Sequence, residues 1–456
     1  MITYSIIQKS QLEGAHRIDA EYFQPEYLEV EKKLSEITTK KISEISDSVV
    51  NFGAYSLCNY IVWQDSGIPY LNVENIKEGY IDFENIKFID DKVNEILSKS
   101  KVKEGQIILP MAGTIGNSAV AYKVPPKINS NQATAKITLK QNVSPFYVAA
   151  FLNSYYGKSQ ITREILSSVQ PNIFLWQIKN FKIPVVSNEK QKEIEDIWKK
   201  GLENLENSKA YYQQAENLLL EELGLVDFKP REDLSFVVNL SGVKFANRVD
   251  SEYFQPKYEK LISKLELKAV NKLENFVKDY STGFPFKSEN YKEDGIPLIR
   301  INNIKKGFID LSDTAYLSDR DYSLSPKDTA KPGDTVLSMS GTIGMSAVIP
   351  ADVPKCSINQ RILRFSSKNI DNNYLVLVLN SIVGFYQLER IGTGGVQTNI
   401  SYRDIQNIFI PVLPKATQEK IAELVRKSHE ARKKSKQLLE EAKRKVEEMI
   451  EKGNVS

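Results

Sequence analysis

The chain has 456 residues, of which 41% are hydrophobic and 26% charged, with a formal net charge of +3. That length accommodates two or three cored domains, and the composition excludes bulk disorder. A net charge so close to zero neither announces nor forbids a nucleic-acid partner, since a basic surface can be balanced by acidic residues elsewhere.

No stretch approaches the roughly 18 to 20 uninterrupted apolar residues of a membrane span. The longest candidate, residues 375–388, is broken by Asn380 and Ser381. The N-terminus carries no signal-peptide pattern. The two cysteines, Cys58 and Cys356, fit neither a disulfide framework nor a metal knuckle, so a reducing compartment and a cytoplasmic location are expected.

Along the chain, the first informative segment is residues 17–27, Arg-Ile-Asp-Ala-Glu-Tyr-Phe-Gln-Pro-Glu-Tyr, because it recurs as residues 248–258, Arg-Val-Asp-Ser-Glu-Tyr-Phe-Gln-Pro-Lys-Tyr. Even Ser5 to Ile7 resemble the apolar run Phe236 to Val238. A unit this long is no solenoid repeat; it implies two similar globular domains related by a pseudo-two-fold. Next, residues 53–60 and 283–290 each open on a glycine and then diverge into polar and aromatic loops. Tyr55, Ser56 and Asn59 in the first, and Lys287 and Ser288 in the second, suit reading of a nucleic-acid groove, and ordinary loop variation accounts for them equally well.

Strand signals follow at residues 67–73, Gly-Ile-Pro-Tyr-Leu-Asn-Val, and 295–301, Gly-Ile-Pro-Leu-Ile-Arg-Ile. Alternation predicts that Leu71 and Val73, like Ile299 and Ile301, face inward. Tyr70, Asn72 and Glu74 then stand on the other face where Leu298, Arg300 and Asn302 stand in the second copy. Asn, Arg and Glu are types that pair with adenine, guanine and cytosine edges respectively, against the plain alternative of drift on a solvent face. The sequence Gly-Thr-Ile-Gly at residues 113–116 returns at 341–344 and reads as a tight turn between strands. Asn131-Gln132 returns as Asn359-Gln360. Arg361 and Arg364 stand where the first copy has Ala133 and Lys136, and they add cationic reach or make a surface salt bridge.

Gln170, Asn172, Gln397 and Asn399 are common to both copies, which favours a structural or phosphate-positioning role. Ile183-Pro184-Val185 and Ile410-Pro411-Val412 each precede a helical pattern. Ile194, Ile197, Gly201, Leu205, Ser208, Tyr212, Ala215, Leu219 and Leu223 step by three and four, as do Ile421, Leu424, Ser428, Ala431, Ser435, Leu438, Ala442 and Met449. At about 1.5 Å per residue each stripe makes a rod on the order of 50 Å. Mutual pairing buries both seams, with Ser208 and Ser435 permitting close approach. Gly224 caps the first rod, ahead of a linker at residues 227–233.

Enzyme signatures are missing. His16 and His429 are the two histidines, and neither recurs in the other copy. There is no Walker A loop, no dinucleotide fingerprint and no zinc spacing; the glycine-rich residues 392–395 lack a following Lys-Ser/Thr and read as a flexible loop. No catalytic residue, metal ligand or cofactor is therefore expected.

The ordered, duplicated set formed by Gly67 and Gly295, the Gly-Thr-Ile-Gly-x-Ser-Ala-Val turns, Asn131-Gln132 and Asn359-Gln360, and Ile-Pro-Val before a helix with an early Gln191 or Gln418, resembles the specificity subunits of Type I restriction-modification systems. The resemblance implies two mixed α/β target recognition domains held apart by two long antiparallel coiled-coil-like helices. The expected bounds are 1–187 for the first domain, 188–224 for the first helix, 225–246 for a linker and the start of the second repeat, 247–414 for the second domain and 415–452 for the second helix. It further implies a non-catalytic subunit that reads one part of a bipartite, asymmetric double-stranded DNA site with each half. Two methyltransferase (M) subunits and the restriction (R) subunits would dock on it. A purely structural coiled-coil scaffold, or a DNA-modifying enzyme whose active site escapes notice, is the alternative. The candidate DNA contacts are Tyr55, Ser56, Asn59, Tyr70, Asn72, Glu74, Asn131, Gln132, Lys287, Ser288, Arg300, Asn302, Gln360, Arg361 and Arg364.

Overall fold

The computed structural model describes all residues except 1–3, 16, 54, 166–170, 231–232, 393–398 and 454–456. His16, Gln170, Gln397 and most of the glycine-rich loop thus lie outside the described residues, and Tyr55 is described in its backbone alone. The chain divides into two units, residues 1–205 with 433–456, and residues 206–432. Each unit contains one copy of the repeat and a segment of both long helices.

In the first unit, Ser46–Val50, Thr134–Leu139, Ile107–Pro110 and Ala119–Val120 form an antiparallel four-stranded sheet in that order. A second sheet sets Ile68–Leu71 between Lys87–Ile89, antiparallel, and Asn129–Ser130, parallel. In the second unit the same plan recurs with Val277–Ser281, Ile362–Ser367, Thr335–Ser338 and Ser346–Val348, and with Ile296–Ile299 between Ala315–Leu317 and Cys356–Ile358. Its second sheet gains one strand, Thr329–Ala330.

The duplicated residues are scaffold. Asn153 donates from Nδ2 to Ser118 O (2.9 Å) and accepts from Ser118 N (3.0 Å), and Asn380 repeats both bonds with Ser346 at 2.8 and 3.0 Å. This two-way grip on one backbone residue holds the strand after each Gly-Thr-Ile-Gly turn, whose glycines lie at positive φ as a tight turn demands. Tyr147 and Tyr374, both buried, donate to Pro184 O and Pro411 O and so tie each Ile-Pro-Val segment to a core helix. Gln191 and Gln418 reach back to Val186 O and Leu413 O, satisfying carbonyls at the start of each long helix.

The Arg-x-Asp-x-Glu-Tyr-Phe-Gln-Pro segment also acquires a physical meaning. The Tyr22 ring lies between the guanidinium groups of Arg17 (4.5 Å from the centroid) and Arg163 (4.1 Å). In the second unit Tyr253 lies between Arg248 (4.7 Å) and Arg390 (4.6 Å). Carboxylates neutralise all four cations: Asp19 and Glu31 in one unit, Asp250 and Glu259 in the other. The hydrogen bond from each arginine holds Asp19 and Asp250 below the usual carboxylate range.

Two helices of 36 and 37 residues, Asn188–Leu223 and Lys415–Glu451, follow the Ile-Pro-Val segments. The first ends in a Schellman motif, with Gly224 at φ +67° and Leu225 N donating to Leu220 O at 2.8 Å. Within the first unit the two helices run antiparallel, with Lys445 paired to Glu193 and Gly201 facing Leu438 and Leu439. Trp198, which the stripe omitted, is wholly buried here beside Leu439, and its indole N–H donates to Gly79 O (3.2 Å). Within the second unit Ser428 Oγ donates to Ser208 O (2.7 Å), so the close partner of Ser208 is Ser428 rather than Ser435. Gly201 occupies in the first copy the position that Ser428 holds in the second. His429 is half-buried and bonds the backbone of Gly307; burial pushes its pKa down, and its Nε2 is enclosed without a partner.

Candidate nucleic-acid interface

In each unit, hydrogen bonds collect separate segments onto one edge. Asn131 N donates to Leu71 O (2.9 Å), and Asn359 N donates to Ile299 O at the same distance. Thr114 Oγ1 donates to Val73 O (2.9 Å), bringing the first Gly-Thr-Ile-Gly turn against residues 72–74. Asn172 pairs with Ala112, and Asn399 with Ser340, beside the same turns. Phe284 and Asn359 form a bridge in the second unit, and Gln360 N donates to Phe284 O (3.0 Å).

A buried asparagine sets the backbone at the centre of each edge. Asn75 Oδ1 accepts from Asn72 N (2.9 Å) while its Nδ2 donates to Asp82 O (3.0 Å). Asn303 does the same for Arg300 N and Asp310 O, at 2.9 Å each. Positions 72 and 300 are therefore held alike but carry different side chains. Glu74 and Asn302, two residues on, are both exposed. In the second unit Asp313 orders the pair: its carbonyl accepts from Arg300 Nη2 (2.6 Å) and its carboxylate from Asn302 Nδ2 (3.0 Å).

Ser56 and Asn59 lie exposed on the short 3-10 turn Tyr55–Tyr60, and Lys287 and Ser288 are exposed in the corresponding loop. Gln132 is half-buried, with Oε1 3.6 Å from Cys58 Sγ, which joins that turn to the edge. Gln360 and Arg361 are exposed, Arg361 with φ +67°.

Three expected contacts are engaged inside their own unit. Tyr70 is 1% exposed and packs edge-on against Trp63 at 5.3 Å, so the inward–outward alternation assumed for this strand fails. The strand is buried on both faces because Tyr70 and Leu71 enter two different hydrophobic clusters. Arg364 is an internal ion pair: Asp279 and Asp334 flank it and its Nε donates to Thr329 O (3.0 Å). Asn131 spends its side-chain oxygen on the Thr134 hydroxyl. In the first copy the position of Arg364 holds Lys136, fully buried, whose ammonium donates to Ser130 Oγ (3.1 Å) and whose pKa burial pushes down to about 8.

Sequence reasoning passed over the exposed aromatics. Tyr60 and Trp63 extend the first loop, with Lys87 Nζ 4.7 Å above the Trp63 ring, and Phe174 and Trp176 are exposed just after Asn172. In the second unit exposed Tyr280 stacks on Tyr402 at 3.7 Å. A signal existed: of three tryptophans in the chain, Trp63 and Trp176 fall outside the strand and long-helix patterns that the sequence shows.

A family model described as Type I restriction modification DNA specificity domain matches residues 35–217 and again 267–444. The MjaVIII specificity subunit of a Type I restriction enzyme from Methanocaldococcus jannaschii is 24% identical over 401 residues, covering 85% of this chain and 86% of that protein. The putative MjaX specificity subunit of the same organism is 22% identical over 412 residues, covering 85% and 87%. Among solved structures, the S subunit from M. genitalium matches with a TM-score of 0.42 and 15% identity, covering 90% of this chain and 95% of the other. Each matched range covers one copy of the repeat beyond its opening Arg-x-Asp segment, and each copy presents one edge of shared backbone and unlike side chains. The chain belongs to the Type I restriction-modification DNA specificity family, as the non-catalytic subunit that recognises the DNA sequence.

Proposed function

We propose that each unit reads one part of a bipartite double-stranded DNA site through the edge just described. Residues 56–60, 72–74 and 132 carry the reading in the first half, and residues 287–288, 300–302 and 360–361 in the second. The carrying observation is the pair Asn72 and Arg300, whose backbones are clamped identically by Asn75 and Asn303 while the side chains differ. A scaffold that repeats and a reader that changes is what an asymmetric site needs. On this reading the domain bounds are 1–187 and 247–414, the long helices act as the spacer, two methyltransferase subunits and the restriction subunits assemble on the chain, and the complex works in the cytoplasm.

The test is methylation mapping with the assembled methyltransferase. Replacing Arg300 by Ala is expected to cost about 1–3 kcal/mol and relax the sequence requirement at one position of one half-site. Exchanging residues 55–60 and 72–74 should change only the other half. An exchange that alters both halves together overturns the modular assignment. Weak salt dependence of duplex binding would instead favour the scaffold reading.

A further inference from the structure

Residues 76–81 and 304–309 make corresponding hairpins, closed by pairing of Ile76 with Ile81 in the first unit and of Ile304 with Ile309 in the second. The glycine of each hairpin lies against the long helices. A Cβ on Gly79 would meet Trp198 and Leu439, and one on Gly307 would meet Tyr212. Leu439 and Tyr212 are equivalent positions, displaced by 439 − 212 = 227 as Gln418 is from Gln191. One helical turn farther on, Lys443 pairs with Glu78, and Glu216 pairs with Lys306 at 3.1 Å. These positions correspond as well, since 443 − 216 = 227. The ion pair is kept between the copies and its polarity is reversed. In the first unit Lys158 also reaches Glu78 (2.9 Å), and Glu440 also reaches Lys443 (2.6 Å).

Each of these ion pairs joins unlike halves of the chain. Lys443 sits on the helix that follows the second copy yet belongs to the first unit, and Glu216 sits on the helix that follows the first copy yet belongs to the second unit. Union of two first halves would set Glu78 against Glu216, and union of two second halves would set Lys306 against Lys443. Two-fold symmetry would make each clash occur twice. Lys445, paired with Glu193 in the first unit, would then face Lys420, which corresponds to Glu193 because 420 − 193 = 227. Side-chain size is matched in the same sense. Trp198 shares a hydrophobic cluster with Leu439, and Val425, its counterpart by 425 − 198 = 227, shares one with Tyr212. Like halves would crowd Trp198 with Tyr212 in one case and leave Val425 and Leu439 underpacked in the other. Opposed like charges and mismatched volumes are how an interface rejects a wrong partner.

We propose that the reversed pairs of Glu78 with Lys443 and Glu216 with Lys306 select the partner of each half: they favour union of a first half with a second half and oppose union of two like halves from different copies of the chain. The inference goes beyond the function proposed above; on that reading, the device denies the complex a symmetric recognition site.

The test uses the folded, full-length chain with a protease site inserted in the linker at residues 227–233. After cutting, the two halves are separated in denaturant and allowed to reassociate, and native mass spectrometry distinguishes the mixed pair from the two like pairs. The unaltered halves are expected to form the mixed pair. Glu216→Lys combined with Lys306→Glu keeps opposite charges in both units of the mixed pair, yet places opposite charges in both like pairs too. Like pairs should therefore rise about tenfold or more in this double variant, while the uncut chain unfolds at its unaltered temperature. An ion pair with a merely structural role would leave partner choice as it was, so like pairs as scarce as before overturn the inference. On the uncut chain, Glu216→Lys alone should lower the unfolding temperature and addition of Lys306→Glu should recover it; no recovery also overturns the inference, whether or not the cut halves reassociate. None of these measurements involves DNA, so their failure leaves the functional reading standing. Methylation indifferent to sequence would sink that reading and leave the pairing result intact.

Discussion

Lys136 and Arg364 hold one position in the two copies and meet burial differently. Asp334 accepts from Lys331 N and Ser366 Oγ while facing Arg364, and Gln106 repeats the first bond with Lys103 N but brings no charge. Asp279 pairs with Ser366 across the sheet where Ser48 pairs with Thr138. The first unit thus encloses a lysine without either carboxylate, and the cost shows in its pKa, pushed down from 10.5 to about 8. Above 10.5 the lysine is neutral folded or unfolded. Between 10.5 and about 8 the unfolded chain takes up the proton first, so stability falls as pH falls, and below about 8 the whole penalty remains. Lys136→Met should therefore raise the stability of the first unit near neutral pH by up to about 3 kcal/mol and flatten its pH slope. Denaturant unfolding at about pH 7 and about pH 10 checks both effects. The exchange of Arg for Lys was readable in the sequence; the fate of the two acids was not, because Asp279 lies in one neighbouring strand of the sheet and Asp334 directly before the other, both far from Arg364 in sequence.

At the scale of elements, the glycines that head the two divergent loops have unequal duties. A Cβ on Gly283, at φ +80°, would lie 2.0 Å from Asn359 O and 2.6 Å from its carbonyl carbon. On Gly53, at φ +99°, the nearest atom is Lys99 Cδ at 3.5 Å. Gly283→Ala should thus destabilise the second unit by about 2 kcal/mol or more, through clash as well as backbone strain, and Gly53→Ala the first by about 1 kcal/mol through strain alone. Thermal unfolding of the two variants gives the ranking, and equal effects would show that the loops are held alike. The turns, the paired helices and their seam were legible because glycine spacing and steps of three and four are local patterns. The strand Ile68–Leu71 was misread for the opposite reason: four residues with clusters on both sides do not alternate, and only the parallel neighbour Asn129–Ser130 explains why. The exposed edge itself was legible as a contrast between copies, while Asp313, which orders Arg300 and Asn302, had no counterpart signal in the sequence.

For the molecule as a whole, the weightiest fact is that residues 433–451 complete the first unit. Leu439, Ala442, Val446 and Ile450 lie in one hydrophobic cluster with Trp198, Phe151 and Ile194. Deleting residues 433–456 should therefore raise amide hydrogen exchange in the first unit's helices Pro145–Asn153 and Asn188–Leu223, although they lie far earlier in the chain, and leave the sheets of the second unit protected. Protection lost from the second unit instead would reverse the assignment. On the ribosome, this layout means that the domain translated earliest waits for the segment translated after all of its sister. Until that segment emerges, Trp198 and its neighbours have no lid, so the nascent first half is the more exposed to proteases and chaperones, and a frameshift late in the message would cripple the recognition of the half-site encoded at its start.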